Sequence, residues 1–511
     1  LYDAVATSGN GEASCASCHI FGDFDALAWN LGDPDGAVGI NNQPQPDPVL
    51  EFTNPTEPFH PMKGPMTTQT LRGMSTHGAL HWRGDRADGV LGTDPCNTAG
   101  YSQLNATEAP CEEDPAFRNF IVAFEDLVGK EGTITPSEMQ QFADFIFQVQ
   151  LPPNPVRRFD DTLRNPPIPT PSETRGEDRW FSCGPGTTEC AQLDVNATDT
   201  VEDCDGCHSL DPLNGFYGSG GEDSFENEPQ HMKVPHIRNM VNKVGMFSVA
   251  GDQVRGTGFL HDGSTDTLLT FVSAGVFALS PQDRLDLEAF MLVSPTDIAP
   301  IVGQQVTITP ATFAVTDINN RIGLIDTQAG QAFASKILGG MVTQCDVIVK
   351  TVEGGVEKGY TSANGALYTP DDGGPAILEA TLRAKADPAG AAQSLTYTAV
   401  PPGAGVRMGI DRDEDQILNG LDNCPGAANG PGGGTCIAGD APLLGLECLI
   451  GTECGAAGVC SIAQEDGDSN LVGDACEPSI VPEPSGLTML TVGISALLGL
   501  SRRRTPRAHG R

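Results

Sequence analysis

The chain has 511 residues, of which 61 are glycine and 39 are proline, and its formal net charge is −38 at pH 7. This length predicts roughly three or four folded units, and the glycine and proline content predicts long loops. The acidic charge argues against nucleic acid or an anionic membrane surface as a partner, since both would repel the chain. A basic or neutral partner is favoured.

The N-terminus is the first feature in chain order, and it is Leu1 rather than a methionine. Only the residues up to Ala6 remain of the helix that is expected before the first cysteine motif. We therefore expect further residues upstream, and this end of the chain gives no information on export.

The clearest chemical signal is a C-x-x-C-H motif that occurs twice. The motif residues are Cys15, Cys18 and His19 in the first copy and Cys204, Cys207 and His208 in the second. Attachment of haem c needs two thiols at this spacing to meet the vinyl groups, and an adjacent histidine to bind the iron. A disulfide or zinc loop fits less well, because the histidine adds nothing to a disulfide and no second ligand pair has the right spacing. The motifs therefore predict two haem c groups.

Each motif is followed by the same order of features. A Met-Lys-x-Pro stretch comes first, then a Leu-Arg or Ile-Arg pair, and then a Gly-Asp or Asp-Gly turn. These stretches are residues 60–86 in the first segment and residues 230–268 in the second. The shared order indicates an internal duplication.

Both segments are predicted to close with amphipathic helices. Thr135 before Pro136 is the predicted N-cap in the first segment, and Ser280 before Pro281 is the predicted N-cap in the second. The apolar residues predicted to face inward are Phe117, Phe120, Ile121, Phe124, Leu127, Val128, Met139, Phe142, Phe145, Ile146, Val149, Leu285, Ala289 and Leu292. Both segments are therefore predicted to be mainly helical.

Several residues could supply the sixth ligand of each haem iron. The candidates are Met66, Met74, His77 and His81 for the first haem and His231, His236, Met246 and His261 for the second. His81 and Met246 are favoured, because the duplication places them at nearly equivalent points. A methionine ligand would raise the reduction potential. The arginines that could pair instead with haem propionates are Arg83, Arg86 and Arg238.

These motifs resemble the bacterial di-haem cytochrome c peroxidase superfamily over about residues 1–296. The resemblance lies in the order of the two segments and in three stretches: H-W-R-G-D-R at 81–86, K-V-P-H-I-R-N at 233–239 and F-L-H-D-G-S-T-D-T-L at 259–268. It implies cytochrome c-like haem domains. The chain departs from the peroxidases in two ways: an insertion separates Met246 from His261, and no methionine lies a short helix beyond His261.

From about residue 300 the pattern becomes β-like. Residues 306–308, 347–349 and 395–399 are predicted strands, and Asn364 with Gly365 predicts a hairpin. Two helices are predicted, near residues 325–337 and 377–384. This part is predicted to be a small α+β domain without evident chemistry.

Two acidic stretches near the C-terminus have ligands at the spacing of a calcium loop. The predicted ligands are Asp411, Asp413, Asp415 and Asp422 in the first loop and Asp466, Asp468, Asn470, Asp474 and Glu477 in the second. The stretches resemble thrombospondin type-3 repeats, which tie calcium loops together with disulfides. Gln416 and Leu471 stand where such loops usually have glycine. An acidic solvated linker is the alternative.

The 15 cysteines are more than the four that the haem motifs use. The predicted disulfide-forming residues are Cys96 with Cys111, Cys183 with Cys190, and six cysteines from Cys424 to Cys476. This usage is typical of an oxidising compartment. Cys345 is left over and is predicted to be a small buried residue.

The C-terminal tail has three parts. V-P-E-P-S at 481–485 is followed by an apolar run at 487–500 and by arginines at 502–504. The tail resembles PEP-CTERM sorting signals, which implies cleavage by an exosortase-type enzyme; a plain tail anchor is the alternative. We expect an extracytoplasmic protein of a Gram-negative bacterium, in the periplasm, outer membrane or cell surface, that meets the membrane only through this segment.

The predicted fold class is mainly α, with two cytochrome c-like helical haem domains followed by a small α+β domain and a loop-rich calcium-binding region. The predicted domains are 1–155 (first haem domain, N-terminally truncated), 156–296 (second haem domain), 297–410 (α+β domain), 411–478 (calcium-binding, disulfide-rich repeats) and 479–511 (sorting signal).

The favoured functional hypothesis is electron transfer to or from a redox partner protein or a small electron donor or acceptor. A second hypothesis is a di-haem peroxidase that reduces hydrogen peroxide, which needs an acid/base group beside an open iron face. His77, His81 or Glu57 could serve there. A third is a surface-matrix protein in which the calcium loops and the sorting signal dominate.

Overall fold

The fold was derived from a computed structural model, which describes residues 3–31, 39–40, 58–59, 65–76, 80–82, 114, 117–181, 204, 208, 210, 212–215, 234–245 and 256–477. The chain divides into two compact units. The first comprises Leu1–Ile348, Ser362–Leu367 and Leu378–Gly405, and the second comprises Val349–Thr361, Tyr368–Ile377 and Val406–Arg511. The five predicted domains stay predictions.

The helices in the described residues are mostly short. The α-helices are α1 (Ala4–Thr7), α2 (Cys15–Cys18), α3 (Ala123–Asp126), α4 (Pro136–Ile146), α5 (Glu173–Phe181), α6 (Met240–Val244), α7 (Leu268–Phe271), α8 (Pro281–Leu292), α9 (Thr316–Gln328), α10 (Glu379–Arg383) and α11 (Gly405–Gly409). The 3₁₀ turns are Ile20–Gly22, Met74–Thr76, Asn119–Val122, Pro212–Asn214, Ala384–Ala386, Ala441–Leu443 and Gly451–Cys454.

The strands form several sheets. Their bounds are β1 (Ala28–Trp29), β2 (Gly39–Ile40), β3 (Pro58–Phe59), β4 (Met66–Thr67), β5 (Gln305–Ile308), β6 (Ala332–Ser335), β7 (Gly340–Thr343), β8 (Asp346–Glu353), β9 (Val356–Ser362), β10 (Leu367–Pro370), β11 (Ile377–Leu378), β12 (Leu395–Val400), β13 (Gly434–Ala438), β14 (Glu447–Cys448) and β15 (Val459–Ser461). The largest sheet has six strands in the order β11-β10-β9-β8-β12-β5, and a three-stranded sheet has the order β14-β13-β15.

The predicted fold class is wrong. Helices account for 29% of the described residues and strands for 16%, so this part of the chain is not mainly α. The prediction gave too much weight to the closing helices of the two segments, whereas most other helices in the described residues span only four or five residues. The β-branched runs after residue 300 build longer strands than the sequence pattern suggested, such as the eight-residue β8.

The first segment closes on an apolar core around α4. Thr135 caps this helix as predicted: its hydroxyl accepts from Glu138 N (3.2 Å), and Glu138 accepts from Thr135 N (2.8 Å). The buried members of this core are Met74, Leu80, Phe117, Phe124, Met139, Ala143 and Ile146. Leu127 and Phe145, which were predicted to face inward, are instead 55% and 53% exposed.

The second segment closes on α8, which packs against α5. Ser280 caps α8 as predicted, and Leu292 is buried as predicted. The rest of the buried face is Asp286, Leu287, Phe290 and Met291, whereas Leu285 and Ala289, which were predicted to face inward, are only partly buried. Asp286 turns inward because Arg175 of α5 holds its carboxylate with two charge-assisted hydrogen bonds of 2.8 and 2.9 Å. This ion pair sets the rotation of the helix.

Gly176 allows the close approach of α5 to α8. A Cβ at this position would lie 2.0 Å from the Asp286 carbonyl oxygen and 2.7 Å from Phe290 Cβ. Since both are parts of a packed helix, the helices must separate to admit a methyl group.

We expect Gly176→Ala to lower the free energy of unfolding by about 1–3 kcal/mol, because the added methyl overpacks the helix interface. Chemical denaturation followed by circular dichroism measures this change. The matched control is Gly323→Ala in α9, where nothing lies within 4 Å of the added Cβ, and which should stabilise by about 0.5–1 kcal/mol. Equal stabilities of wild type and Gly176→Ala would contradict the prediction.

Asp297 is a buried link between the two segments. It forms an ion pair with Arg238 and accepts hydrogen bonds from Thr76 Oγ1 (2.9 Å) and Leu151 N (3.2 Å). Asp297 is 6% exposed and Arg238 is 1% exposed. Nothing in the sequence pattern pointed to Asp297, whose three partners come from distant parts of the chain.

The six-stranded sheet contains the three strands predicted after residue 300. β12 pairs antiparallel with β5, with Tyr397 opposite Val306, and β9 and β10 form the hairpin predicted at Asn364 and Gly365. The first predicted helix is misplaced: α9 ends at Gln328, and β6 follows where the helix was expected to continue. Phe333 and Ser335 of β6 are buried, which fits a strand alternation rather than a helical stripe.

Candidate functional sites

The first C-x-x-C-H motif forms one turn of helix. Cys15 and Cys18 begin and end α2, and Ser14 N, just before it, donates to Ser17 Oγ (3.0 Å). Neither cysteine forms a disulfide within the described residues. Burial raises the pKa of both thiols, so they are protonated near neutral pH. The two sulfur atoms are therefore available for another bond.

His19 follows this turn and is held by main-chain carbonyl groups. Its Nδ1 donates to Gln69 O at 2.9 Å and lies 3.3 Å from Asp23 O. Because both partners can only accept, Nδ1 carries the proton and Nε2 keeps its lone pair. Burial also lowers the pKa of His19, which favours the neutral ring. A neutral imidazole oriented through one nitrogen is the form that binds a metal through the other.

The second motif repeats this arrangement. His208 Nδ1 donates to Pro235 O at 2.9 Å. Gln69 and Pro235 each lie three residues before the arginine of the Leu-Arg or Ile-Arg pair, which is Arg72 in the first segment and Arg238 in the second. The duplication seen in the sequence thus extends to the hydrogen bond that orients each histidine. Cys207 lies outside the described residues.

Trp180 of α5 packs beside His208, with the two ring centroids 5.1 Å apart. Its indole is 2% exposed, and Nε1 has no hydrogen-bond acceptor within the part of the chain that is described. A buried donor of this kind is costly unless something accepts its proton. The thiols of Cys15 and Cys18, the two oriented imidazoles and this indole are compatible with haem c at the motifs.

The candidate sixth ligands are only partly covered by the described residues. His81 has a positive φ of 68° and its ring lies 5.8 Å from that of Phe120. Met74 is in the apolar core of the first segment, and Met66 packs on Trp82. His236 and His261 are buried. The remaining candidates, His77, His231 and the favoured Met246, lie outside the described residues, as do Arg83 and Arg86.

The two segments are joined through Thr67. Thr67 N donates to His261 O at 2.7 Å, and Trp82 Nε1 donates to Thr67 O at 2.7 Å. Arg238, a candidate propionate partner, instead pairs with Asp297 and donates to Gly215 O. The His-Asp-Gly turn of the second segment therefore meets the His-Trp turn of the first.

The first acidic loop brings its carboxylates together. Oxygen atoms of Asp411, Asp413 and Asp415 lie within 4.8 Å of one another. Buried oxygens of Asp411, Asp413 and Asp422 accept no hydrogen bond within the described residues. Burial, followed by repulsion from Asp415 and Asp422, raises the pKa of Asp413 to about 6. Converging, desolvated carboxylates with unused lone pairs are the donor set that Ca²⁺ prefers.

The second acidic loop has the same backbone. Gln416 and Leu471, which replace the usual glycine, both have φ of 73°, and the residues two before them, Glu414 and Ser469, both have φ of 61°. Both loops thus adopt the left-handed turn without glycine, at some cost in strain.

Three hydrogen bonds are repeated between the loops. Gln416 N donates to Asp411 Oδ2 in the first loop, as Leu471 N does to Asp466 Oδ2 in the second. Ile417 N donates to Asp415 Oδ1, as Val472 N does to Asn470 Oδ1. Arg412 N donates to Asn419 Oδ1, as Gly467 N does to Asp474 Oδ1. The second loop is more open, since Asp468 and Asn470 are exposed. In it Glu477 accepts a hydrogen bond from Asn470.

The pKa of Asp413 predicts a pH dependence in chelator. Because the pKa of Asp413 is raised, the folded chain binds a proton at this carboxyl group more tightly than the unfolded chain does. Protonation of Asp413 therefore stabilises the fold fully below about pH 4, and this stabilisation is lost as the pH rises through about 6. We expect Asp413→Asn to match wild type in melting temperature near pH 4 and to exceed it increasingly up to pH 7. Calorimetry in EDTA measures the difference, and a constant difference across this range would contradict the prediction.

Disulfides and hydrogen bonds fasten the two loops together. Cys424 pairs with Cys476, and within that span Cys436 pairs with Cys454 and Cys448 with Cys460. Asn423 N also donates to Gln464 Oε1 (2.8 Å), and Gln464 N donates to Asn429 O (2.9 Å). No sequence pattern indicated this link between side-chain and main-chain amides. Cys345 is buried as predicted, and burial raises its thiol pKa to about 12.

Comparisons with known proteins add little. No protein-family model matches the chain, and no curated protein matches it. A solved structure of hydrazine synthase from Kuenenia stuttgartiensis, pressurised with 20 bar xenon, is 16% identical with a TM-score of 0.32, over 57% of this chain and 83% of that chain. A likeness at this TM-score carries no argument about fold or function.

The remaining sequence predictions concern the tail and two cysteine pairs. The sorting signal after residue 478 lies outside the described residues, as do Cys96, Cys111, Cys183 and Cys190. Within the described part of the chain, no helix combines the length and the apolar character that crossing a membrane requires.

Proposed function

We propose that the chain is an exported di-haem c-type cytochrome that transfers electrons at the cell surface or in the periplasm. One haem is bound by Cys15, Cys18 and His19, and the other by Cys204, Cys207 and His208. When bound, haem c supplies one-electron redox chemistry at its iron. The partner is a redox protein or a small electron donor or acceptor.

The observation that carries the proposal is the matched pair of histidine hydrogen bonds. His19 Nδ1 to Gln69 O and His208 Nδ1 to Pro235 O are both 2.9 Å long, and each acceptor lies three residues before the arginine of the repeated Leu-Arg or Ile-Arg pair. A zinc loop or a disulfide would not require the same imidazole orientation at both motifs. A haem iron would require this orientation at both motifs, because it binds Nε2, the ring nitrogen that does not carry the proton when Nδ1 donates to a carbonyl.

The cysteines have a simple role in this proposal. Each S–H adds across one vinyl group, so a C–S bond forms, the thiol hydrogen moves to the neighbouring vinyl carbon, and no external oxidant is needed. Cys15 and Cys18 are uncommitted thiols one helical turn apart, which supports this role. His81 and Met246 remain the proposed sixth ligands.

The acidic loops are proposed to bind calcium and to stabilise the second unit. Asp411, Asp413, Asp415 and Asp422 would bind in the first loop and Asp466, Asp468, Asn470, Asp474 and Glu477 in the second. The repeated hydrogen bonds and matched φ angles of the two loops support a shared ligand. The C-terminal segment is proposed to be processed by an exosortase-type enzyme.

Spectroscopy of the haem-loaded protein tests the function. Absorption and EPR spectra should be recorded in the oxidised and half-reduced states, with and without hydrogen peroxide. Electron transfer predicts two six-coordinate, low-spin haems that do not react with peroxide. A high-spin haem that turns over peroxide would instead establish the peroxidase, and a preparation without covalent haem would refute both.

A further inference from the structure

The two proposed calcium loops are joined by a residue that belongs to neither set of ligands. Gln464 lies two positions before Asp466, the first proposed ligand of the second loop. Its side-chain Oε1 accepts from Asn423 N at 2.8 Å, and its main-chain oxygen accepts from Asn423 Nδ2 at 3.0 Å. Asn423 directly follows Asp422, the last proposed ligand of the first loop. The end of the first loop is therefore fastened to the start of the second, although 41 residues separate Asn423 from Gln464.

Gln464 also reaches the proposed ligands of the first loop. Burial raises the pKa of Asp422, and hydrogen bonds from Cys424 N and from the Gln464 side chain act in the opposite direction. The side-chain amides of Gln464 and Asn429 are 2.6 Å apart, and Asn429 N donates to Asp415 Oδ2 at 2.9 Å. Asn429 is fully buried. Gln464 thus contacts one proposed ligand directly and a second one through Asn429.

The second loop packs on the same amides from its other end. Gly473 directly precedes Asp474, a proposed ligand of the second loop, and Gly473 N donates to Asn423 O at 2.9 Å. A Cβ at Gly473 would lie 2.3 Å from Asn423 Oδ1 and 2.7 Å from Asn429 Nδ2. The backbone of the second loop therefore lies directly against the residues that hold the first.

The first loop has ligand atoms that a cation would draw together. Asp411 is 6% exposed, and its Oδ1 accepts no hydrogen bond within the described part of the chain. An ion that pulled Asp415 and Asp422 towards this oxygen would also fix Asn429 and Gln464, which are hydrogen-bonded to them. Because these amides hold the second loop as well, the order that one ion imposes does not have to be imposed again by the other.

We propose, relying on the calcium binding proposed above, that Gln464 is a positioning residue shared by the two loops. Through it, the binding of one calcium ion favours the binding of the other. Gln464 lies outside the ligand spacing of both loops, so the sequence pattern of neither loop includes it. Coupling between two sites typically changes the affinity by about fivefold or more.

Calcium titration calorimetry of the full chain tests the coupling. Asp413→Ala and Asp466→Ala should each leave a single calcium-binding loop, and the two variants give the two single-loop association constants. In wild type, the overall association constant for two ions should exceed the product of these constants by about tenfold. If the overall constant equals the product, the loops are independent and the proposal is wrong.

Gln464→Met tests the residue itself. Methionine nearly keeps the size of the side chain but removes its hydrogen bonds, so in this background the overall constant should fall to the product of the single-loop constants. If Gln464 only supports the fold, the single-loop constants fall and the tenfold excess remains, which would overturn the assignment. The control is Thr452→Ala, at an exposed residue between the two loops, which should keep the excess.

The titration separates failure of this proposal from failure of the calcium assignment. Wild type that binds no calcium would refute the calcium loops and the coupling together. Two ions that bind independently would refute the coupling alone, and a single bound ion would show that one loop is not a site and would overturn the coupling too. The wild-type comparison does not need Gln464→Met, so it can still refute the coupling if that variant fails to accumulate.

Discussion

A chain with both Cys204→Ser and Cys207→Ser should retain one covalently bound haem instead of two. Serine cannot form the thioether bonds, so the second motif loses its attachment while the first keeps it. The reciprocal chain, with Cys15→Ser and Cys18→Ser, should also retain one. Denaturing mass spectrometry and the pyridine haemochrome absorbance both count the haems.

The matched control for these variants is Cys345→Ala. Cys345 is also an unpaired cysteine, but it is buried and lies outside both motifs. This variant should retain two haems, although it removes a buried sulfur atom. Loss of both haems from either double variant would show that the two attachments depend on one another, and an unmodified wild-type mass would refute haem attachment altogether.

In the presence of calcium, Asp415→Ala should destabilise the second unit by about 3 kcal/mol or more. Part of this loss is the free energy by which bound calcium stabilises the folded state, which is about 2.7 kcal/mol when calcium is at 100 times its dissociation constant. The rest comes from the structure around Asp415, which is fully buried and accepts from Ile417 N (2.7 Å) and Asn429 N (2.9 Å). Hydrogen bonds to a charged group contribute about 1.5–3 kcal/mol.

Two variants separate these contributions. Glu414→Ala removes a carboxylate from the same loop, but Glu414 lies between ligand positions and its side chain is 65% exposed, so the stability should change by no more than about 0.5 kcal/mol. Asp413→Asn should weaken calcium binding but stabilise the protein in EDTA near pH 7, whereas Asp415→Ala should destabilise it both with calcium and in EDTA. Calorimetry with and without EDTA measures the stability of each variant, and calcium titration measures its affinity for the ion. If Glu414→Ala and Asp415→Ala have equal effects, the calcium assignment is wrong.

The local chemistry of this chain was more predictable than its architecture. Thr135 and Ser280 cap helices as expected, because capping depends on residues within one turn. The close approach of the Asp411, Asp413 and Asp415 carboxylates was also expected, because the three residues alternate along a single loop. The haem attachments stay predictions, supported by how His19 and His208 are held.

What the sequence did not predict depends on distant partners. The buried face of α8 follows from Arg175, which lies 111 residues before Asp286. The wrong fold class has a similar cause, since a six-stranded sheet is assembled from strands whose pairing no local pattern reveals. The missing glycines at Gln416 and Leu471 cast doubt on the calcium loops, yet the backbone adopts the required turn at both.

The hydrogen bonds of His19 and His208 also bear on how the duplicated segments can diverge. The acceptors are main-chain oxygens, and the residues that carry them are as different as glutamine and proline. Because every amino acid supplies the same carbonyl, a substitution at either position leaves the hydrogen bond intact. The two duplicated segments can therefore drift apart in sequence while each imidazole keeps its orientation.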